Sequence, residues 1–284
     1  MSRIPYIVSP EWLASELNSQ ADKYILIDMT KPGVYAQAHL PNAINIDYAR
    51  LQRGGIPAGL APHKEDIEAL LSDIGLTEDK HVIAYDEEGG TRAARCLWIL
   101  DVARHKHFSY LDGGIHAWLA KELPYETSPT PAPQPSHYVI AELNTQPIAS
   151  IDDVLVAHNN ADTVVWDARS PEEYLGIKVN SKRGYNWENA IDRNNNNLLR
   201  PLDDIRNELK ALGITGDKEI FTHCQTHHRS SFTWLLGKHL GFENIRGYAG
   251  SWSEWGNDED VPVELPTQQQ LDEYQANLPD LDLH

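Results

Sequence analysis

Two halves of this sequence repeat the same order of segments on either side of a proline-rich stretch. Residues 124–137 contain proline at five positions, a composition that favours an extended connector over a helix or a strand. The 284-residue chain is long enough for two domains of about 100 to 150 residues each. We therefore expect a first domain over residues 1–123, a linker over 124–137, a second domain over 138–264 and a polar, acidic tail over 265–284.

Each half contains two apolar segments typical of buried strands, the second of which runs into a loop, and then a turn that opens a helix. The first half has these segments at 24–30, 81–90 and 111–118, and the second half has them at 162–169, 218–229 and 247–255. The spacing from Asp28 to Asp86 nearly equals the spacing from Asp167 to Cys224. Asp86 therefore stands in the first half where Cys224 stands in the second.

Helical patterns lie between the strand patterns. Apolar residues recur at helical spacing after the central loop of each half, at Ala94, Leu97, Trp98 and Val102 and again at Phe232, Leu235, Leu236 and Leu240. Strands that alternate with helices indicate an α/β fold with parallel sheets covered by helices on both faces. In such folds the functional loops lie at the carboxyl ends of the strands, which places the loop of Cys224 at a site.

Charge and cysteine content narrow the classes of function. Lys and Arg number 24 against 42 for Asp and Glu, and the net charge of −18 argues against nucleic acid or an anionic membrane as the main partner. The two cysteines, Cys96 and Cys224, are far apart, which predicts reduced thiols, with Cys96 a small core residue. No apolar run has the length of a membrane span, and the first residues lack the apolar core of a signal peptide, so we expect a cytoplasmic protein.

Cys224 follows an apolar strand pattern and precedes an amphipathic helix. A cysteine at such a junction lies beside a helix N-terminus, whose N–H groups and dipole favour an anion. The neighbouring His227, His228 and Arg229 can add positive charge, so we expect a nucleophilic thiolate. Two other interpretations stay open at this point. One is a buried, inert thiol, and the other is a metal site built on Cys224 and its neighbouring histidines.

The loop CQTHHR (224–229) resembles the six-residue active-site loop of two-domain bacterial rhodaneses. Other stretches resemble family motifs as well, namely 166–176 and 247–264 around that loop and 39–45 and 110–118 in the first half. The resemblance covers nearly the whole chain apart from the linker and the tail. It implies two rhodanese-like domains in tandem, each a small, mostly parallel sheet flanked by helices.

The resemblance also implies an activity, thiosulfate:cyanide sulfurtransfer. Cys224 attacks the outer sulfur of thiosulfate, expels sulfite, and passes the sulfur of its persulfide to cyanide, a thiol or a protein acceptor, without any metal or organic cofactor. The residues it assigns to substrate binding are Arg169, Gln225, Thr226, His227, His228 and Arg229. An ion pair of Arg169 with Asp167 or Glu173 is the alternative. The first domain has Asp86 in place of the thiol and is expected to be noncatalytic.

One stretch departs from the family pattern, and three rival functions remain. Residues 182–197 replace the counterpart of the motif at 39–45, which leaves the local fold there open. A cysteine-dependent phosphatase or arsenate reductase would need one more residue between Cys224 and Arg229. A 3-mercaptopyruvate sulfurtransferase typically has a less basic loop. A scaffold of two inactive domains is the nonenzymatic rival.

Overall fold

The computed structural model describes residues 3–158, 160–170, 173, 186–263, 267–269 and 272. Most of the predicted tail, 265–284, lies outside the described residues. Within the described part of the chain, no helix is long and apolar enough to cross a membrane.

The first half forms a five-stranded sheet of parallel strands in the order β1-β5-β4-β2-β3. Its strands are β1 (Ile7–Val8), β2 (Tyr24–Asp28), β3 (Ile44–Asn45), β4 (His81–Tyr85) and β5 (Phe108–Leu111). Its helices are α1 (Pro10–Gln20), α2 (Pro32–Tyr35), α3 (Lys64–Asp73), α4 (Thr91–Val102) and α5 (Gly114–Ala120), with short 3-10 helices at Ala21–Lys23 and Tyr48–Leu51.

The second half forms a four-stranded sheet of parallel strands in the order β6-β11-β10-β7 and a separate antiparallel pair, β8-β9. The strands are β6 (Ile148–Ala149), β7 (Thr163–Asp167), β8 (Ile191–Asp192), β9 (Leu198–Leu199), β10 (Glu219–His223) and β11 (Ile245–Tyr248). The helices are α6 (Ile151–Ala157), α7 (Leu202–Ala211), α8 (Arg229–His239) and α9 (Ser251–Trp255), with a 3-10 helix at Trp187–Ala190. The predicted α/β fold with two parallel sheets is confirmed.

Equivalent helices begin at equivalent places in the two halves. The side chain of Ser9 accepts a hydrogen bond from the N–H of Trp12 at the start of α1, and a capping box joins Ser150 and Asp153 at the start of α6. Each of these helices follows the first strand of its sheet. The caps fix where the chain turns from strand to helix, and they add to the repeat that the sequence predicts.

The two halves share one hydrophobic core in which α4 packs against α8. Aromatic rings meet at the contact: the ring of Phe232 on α8 lies edge-on to Tyr110 of the first half, with 6.0 Å between centroids. Within the second half, the same ring lies edge-on to Trp187 at 6.2 Å. The helix after the central loop of each half therefore buries its apolar face against its counterpart. This packing brings the two central loops, and the segments around them, into contact with the opposite half.

Each half covers the central loop of the other. A Cβ atom on Gly59 of the first half would lie 2.2 Å from the carbonyl oxygen of Ala249 and 2.6 Å from that of Thr226. A Cβ atom on Gly89 would lie 2.7 Å from Ile191 and 3.0 Å from Trp187 in the second half. The chain around Gly59 thus packs directly on the loop of Cys224.

The proline-rich stretch lies along the first half as an extended chain. Glu126 forms an isolated bridge with His39, and the N–H of Ser136 donates to the carbonyl of Ser72. The next residues also bond to the first half, since the N–H of Ile140 donates to the Glu68 carboxylate at 2.7 Å. The domain boundaries over 1–123, 124–137 and 138–264 stay a prediction.

The stretch that departs from the family pattern has a local fold where it is described. Residues 186–199 comprise the 3-10 helix Trp187–Ala190 and the β8-β9 hairpin, whereas 182–185 lie outside the described residues. The hairpin packs on the first half, where the Asp112 carboxylate accepts a hydrogen bond from the N–H of Leu199 at 2.9 Å. These residues therefore cover the Asp86 loop.

Replacement of Gly59 by alanine tests the contact between the halves. We expect Gly59→Ala to lower the free energy of unfolding by about 1 to 3 kcal/mol, because the new methyl group overlaps backbone oxygens that cannot rotate away. The measurement is urea unfolding. Gly33→Ala is the control, since a Cβ atom there meets nothing within 4 Å. Equal stability of the two variants would contradict close packing at Gly59.

Candidate active site

Cys224 is the first residue of the loop between β10 and α8, at the carboxyl edge of the second sheet. Its side chain is fully buried, with a relative exposure of 0%. A buried position was one of the alternatives that the sequence left open, and it is the one found. The reason is that the chain around Gly59 packs against the outer side of the loop. Among the described residues, no group of three or more potential ligands is arranged to hold a metal ion.

The hydroxyl of Ser251 is hydrogen-bonded to two backbone N–H groups of the loop. It accepts hydrogen bonds from the N–H of Cys224 at 3.4 Å and from the N–H of His227 at 3.0 Å, and it donates to the carbonyl of Tyr248 at 2.8 Å. One buried side chain therefore fixes two points of the loop to the end of β11.

Backbone N–H groups at the start of α9 donate hydrogen bonds to two carbonyl groups of the loop. The carbonyl of Cys224 accepts from the N–H of Trp252 at 2.9 Å, and the carbonyl of Gln225 accepts from the N–H of Ser253 at 3.0 Å. These bonds engage two carbonyl oxygens of the loop, whereas the N–H groups of Thr226 and His228 have no acceptor among the described residues. Backbone N–H groups left without an acceptor in such a loop can bind an anion.

The matching loop of the first half holds a carboxylate in this position. Asp86 is buried, and its two carboxylate oxygens accept hydrogen bonds from four backbone N–H groups. The donors are Glu88 at 2.9 Å, Gly90 at 2.8 Å, Arg92 at 2.9 Å and Ala93 at 3.0 Å. Burial raises the pKa of Asp86, and the backbone bonds from Ala93, Gly90 and Glu88 oppose that rise.

Neither α4 nor α8 has a side-chain N-cap, so the first N–H groups of both helices need another acceptor. In α4 the acceptor is Asp86. The loops have equal length, since α4 begins five residues after Asp86 and α8 begins five residues after Cys224. The four donors to Asp86 lie two, four, six and seven residues after it in the sequence. The residues at the same distances after Cys224 are Thr226, His228, Ser230 and Ser231.

Arg229, the first residue of α8, pairs with Glu173 through two hydrogen bonds of 2.5 and 2.9 Å. The bonds from Arg229 lower the pKa of Glu173 to about 2. Burial has the largest single effect and lowers the pKa of Arg229, but the bond to Glu173 and the nearby Cys224, Glu173 and Asp167 charges together raise it above its ordinary value. Arg229 is therefore a fixed positive charge beside the loop.

Arg169 forms the ion pair that was the alternative to a substrate contact. Its guanidinium bonds to both carboxylate oxygens of Asp167 at 3.0 to 3.1 Å, and both side chains are buried. The guanidinium carbon lies 4.6 Å from the ring centroid of Trp252. In the first half Thr30 replaces the arginine and bonds to Asp28 in the same turn. A role of Arg169 in substrate binding stays a prediction.

The two histidines of the loop are buried at the contact with the first half. The ring of His227 lies edge-on to Trp98 at 4.7 Å, and the ring of His228 stacks on Tyr48 at 4.8 Å. Burial lowers the pKa of His227 well below its ordinary value and that of His228 to about 4. Both rings are therefore neutral near pH 7, contrary to the expectation that they add positive charge.

Gln225 is exposed and Thr226 is half-buried, so these residues form the outer side of the loop. The N–H groups of Thr226 and His228 have no hydrogen-bond acceptor within the described part of the chain. The predicted loop residues thus fall into two groups. Gln225 and Thr226 lie toward solvent, whereas the rings of His227 and His228 lie toward the first half.

The first half contributes residues that sequence reasoning missed. Arg95 on α4 is fully buried and donates to the carbonyls of Leu51, Gly59 and Leu60, which holds that segment against the Cys224 loop. An arginine within an apolar helical face is unusual, because unpaired charges are rarely buried, and this was the signal that could have revealed it. Cys96 beside it is buried, and burial raises the pKa of its thiol to about 12. Its predicted place in the core is confirmed.

A model of the rhodanese-like domain matches residues 9–121 and 150–258, which is most of the chain. The chain belongs to the rhodanese family. A thiosulfate sulfurtransferase of Azotobacter vinelandii is 43% identical to this rhodanese over 272 residues, 92% of the chain and 98% of the relative. A thiosulfate sulfurtransferase of Pseudomonas aeruginosa is also 43% identical, over 93% of the chain and 98% of the relative.

Solved structures confirm the fold of this rhodanese. The crystal structure of YnjE superposes with a TM-score of 0.82 and 23% sequence identity, covering 93% of this chain and 69% of that one. The matched ranges include both central loops, so the tandem arrangement predicted from the internal repeat is confirmed.

The ion pair of Arg229 and Glu173 yields a test of the loop's anchoring. We expect Glu173→Gln to lower the free energy of unfolding at pH 7 by about 1 to 2 kcal/mol, because Arg229 loses a charged partner in a half-buried position. Since the pKa of Glu173 falls from 4.5 to about 2 on folding, the pair stabilises the protein above pH 4.5 and the effect is lost as the pH falls toward 2.

Urea unfolding of both proteins across this pH range measures the difference. Glu208→Gln is the matched control, since Glu208 pairs with Arg200 through two bonds but is more exposed. We expect a smaller loss there, below about 1 kcal/mol. A difference at Glu173 that does not shrink below pH 4.5 would contradict the assignment.

Proposed function

We propose that this rhodanese is a thiosulfate sulfurtransferase in which Cys224 is the catalytic nucleophile. The observation that carries the proposal is the position of Cys224 beside the uncapped N-terminus of α8, where the matching loop of the first half holds the Asp86 carboxylate by four N–H groups. A site that holds a buried carboxylate in one half is suited to a sulfur anion in the other. The relatives in Azotobacter and Pseudomonas support the choice of thiosulfate.

The proposed reaction has two halves. The Cys224 thiolate attacks the outer sulfur of thiosulfate, the sulfur–sulfur bond of thiosulfate breaks, and sulfite leaves with the bonding electron pair. Cyanide or a thiol, free or on a protein, then attacks the outer sulfur of the persulfide, and the Cys224 thiolate leaves. The N–H groups of Thr226 and His228 are proposed to hold the outer sulfur while it carries negative charge.

The charges around the loop suit an anionic donor. The protein has a net charge of −18, so the attraction for thiosulfate has to come from a nearby cation. Arg229 supplies a fixed charge at the start of α8, and its pair with Glu173 sets its position. Arg169 is held by Asp167 and is proposed to support the loop through Trp252, with any contact to substrate secondary. Thiosulfate is proposed to approach past Gln225 and Thr226, the outer residues of the loop.

The first domain is proposed to be noncatalytic and to complete the site from outside. Asp86 has no thiol and its carboxylate fills the ring of donors. The first domain instead contributes Gly59, Tyr48 and Trp98, which pack against the catalytic loop. Location in the cytoplasm and an acceptor among cellular thiols are part of the same proposal.

Mass spectrometry of the intact protein tests the proposal. After incubation with thiosulfate we expect a gain of one sulfur atom on Cys224 and its loss on adding cyanide, because the helix N-terminus stabilises both the thiolate and the persulfide. Cys224→Ser is expected to abolish the gain. Cys96→Ala is the control with the other buried cysteine and is expected to keep it.

A different result would favour the rival enzyme. Wild-type protein that gains no sulfur and hydrolyses an aryl phosphate, with the hydrolysis lost in Cys224→Ser, would contradict the proposal. The loop argues against that outcome, since it has one residue fewer between Cys224 and Arg229 than a phosphatase loop, which has to enclose a larger tetrahedral group.

A further inference from the structure

A chain of three buried polar atoms leads from the sulfur of Cys224 into the contact between the domains. The hydroxyl of Ser230 lies 3.5 Å from Sγ of Cys224, a distance suited to a hydrogen bond with the large sulfur atom. The same hydroxyl lies 2.8 Å from Nδ1 of His227. All three side chains have a relative exposure of 0%, so water does not compete for these bonds.

The backbone of the loop holds His227 in place for this contact. His227 has a φ of 53°, in the left-handed region that few residues other than glycine and asparagine adopt. Its N–H donates to the hydroxyl of Ser251 at 3.0 Å, and its carbonyl accepts from the hydroxyl of Ser231 at 2.5 Å. In this conformation the imidazole lies between Ser230 and Trp98.

The neighbours of the ring leave it one orientation. A Cβ atom on Gly247 would lie 2.3 Å from Nε2 and Cε1 of His227, so only glycine leaves room for the ring. On the other side lies the indole of Trp98, whose own N–H donates to the carbonyl of Pro147. The ring is therefore held with Nδ1 toward Ser230 and Nε2 beside Gly247.

The direction of these two hydrogen bonds follows from the number of protons that His227 and Ser230 carry. Because burial keeps the imidazole neutral, His227 carries one ring proton, and the Ser230 hydroxyl carries one proton as well. A negatively charged sulfur on Cys224 attracts the hydroxyl proton. The oxygen of Ser230 then has to accept from Nδ1–H of His227, and Nε2 carries no proton. Nε2 has no hydrogen-bond partner among the described residues, and it is the ring nitrogen that takes no part in the hydrogen bonds to Ser230 and Cys224.

We propose that Ser230 and His227 are positioning residues that stabilise Cys224 as a thiolate through the chain Nδ1–H to Oγ, and Oγ–H to Sγ. This inference rests on the proposed function, in which Cys224 is the leaving group when the sulfur passes to the acceptor. The backbone N–H groups hold the outer sulfur of the persulfide, whereas the Ser230 chain takes up the charge that returns to Sγ as the sulfur–sulfur bond breaks. No proton leaves the chain in this step.

Single-turnover transfer from the preloaded persulfide to cyanide tests the proposal. We expect Ser230→Ala to slow this transfer about tenfold, because a hydrogen bond to the charged leaving group is lost. Loading by thiosulfate should still reach one sulfur atom per chain. The matched control is Thr233→Val, which removes another buried hydroxyl of α8, one that bonds to the carbonyl of Ser230 and not to the sulfur. Its transfer rate should equal that of the wild type.

Two substitutions of His227 distinguish the effect of its Nδ1–H donor from the effect of the left-handed backbone at this position. Asparagine and glycine both tolerate the left-handed backbone, but only asparagine keeps an N–H donor near the position of Nδ1. We expect His227→Asn to retain most of the transfer rate. His227→Gly should slow the transfer as much as Ser230→Ala does. Urea unfolding of each variant verifies that the protein is folded.

Transfer by Ser230→Ala at the wild-type rate, or equal slowing in Thr233→Val, would overturn the proposed hydrogen bond from Ser230 to the leaving sulfur. Equal rates in His227→Asn and His227→Gly would overturn the role of the imidazole. The proposed function fails in a different way, since wild-type protein would then gain no sulfur from thiosulfate at all.

Discussion

The N–H groups at the start of α4 and α8 are the constraint on which the rest of the molecule depends. A helix that begins without a side-chain cap leaves polar donors that have to be satisfied, and burial makes that need more costly. The first domain meets the need with the carboxylate of Asp86. The second domain has Cys224 at the same place, and a sulfur anion is the group that these donors would stabilise. In the proposed function, one fold thus carries a filled anion site at Asp86 and an open one at Cys224.

Contact between the domains turns this local chemistry into an enclosed site. The packing of α4 on α8 brings the segment around Gly59 onto the Cys224 loop, and the buried Arg95 holds that segment by its carbonyls. His227 points into the same contact, where Trp98 and the absence of a side chain at Gly247 fix its ring. A domain without a nucleophile is therefore still part of the site, because it excludes water from the loop and orients the loop's side chains.

Much of the fold follows from the sequence, and so does the place of Cys224 in the loop between a strand and a helix. The matched spacing of Asp86 and Cys224 within the repeat predicted their equivalent positions, and apolar periodicity located α4 and α8. The contacts of His227 and Cys224 with Ser230 did not follow, because a left-handed residue in a loop has no sequence signature unless it is glycine. The contribution of Gly59 depends on packing between residues far apart in the chain. Sequence reasoning also expected positive charge on the two histidines of the loop, whereas burial against the other domain keeps both rings neutral.

A crystal structure of the protein after treatment with thiosulfate tests the central claim most directly. If the loop of the second domain is the open counterpart of the Asp86 site, the added sulfur on Cys224 will lie within hydrogen-bond distance of the N–H groups of Thr226 and His228, as the carboxylate does with Glu88 and Gly90. An added sulfur that points away from these groups, or that resides on Cys96, would contradict the account.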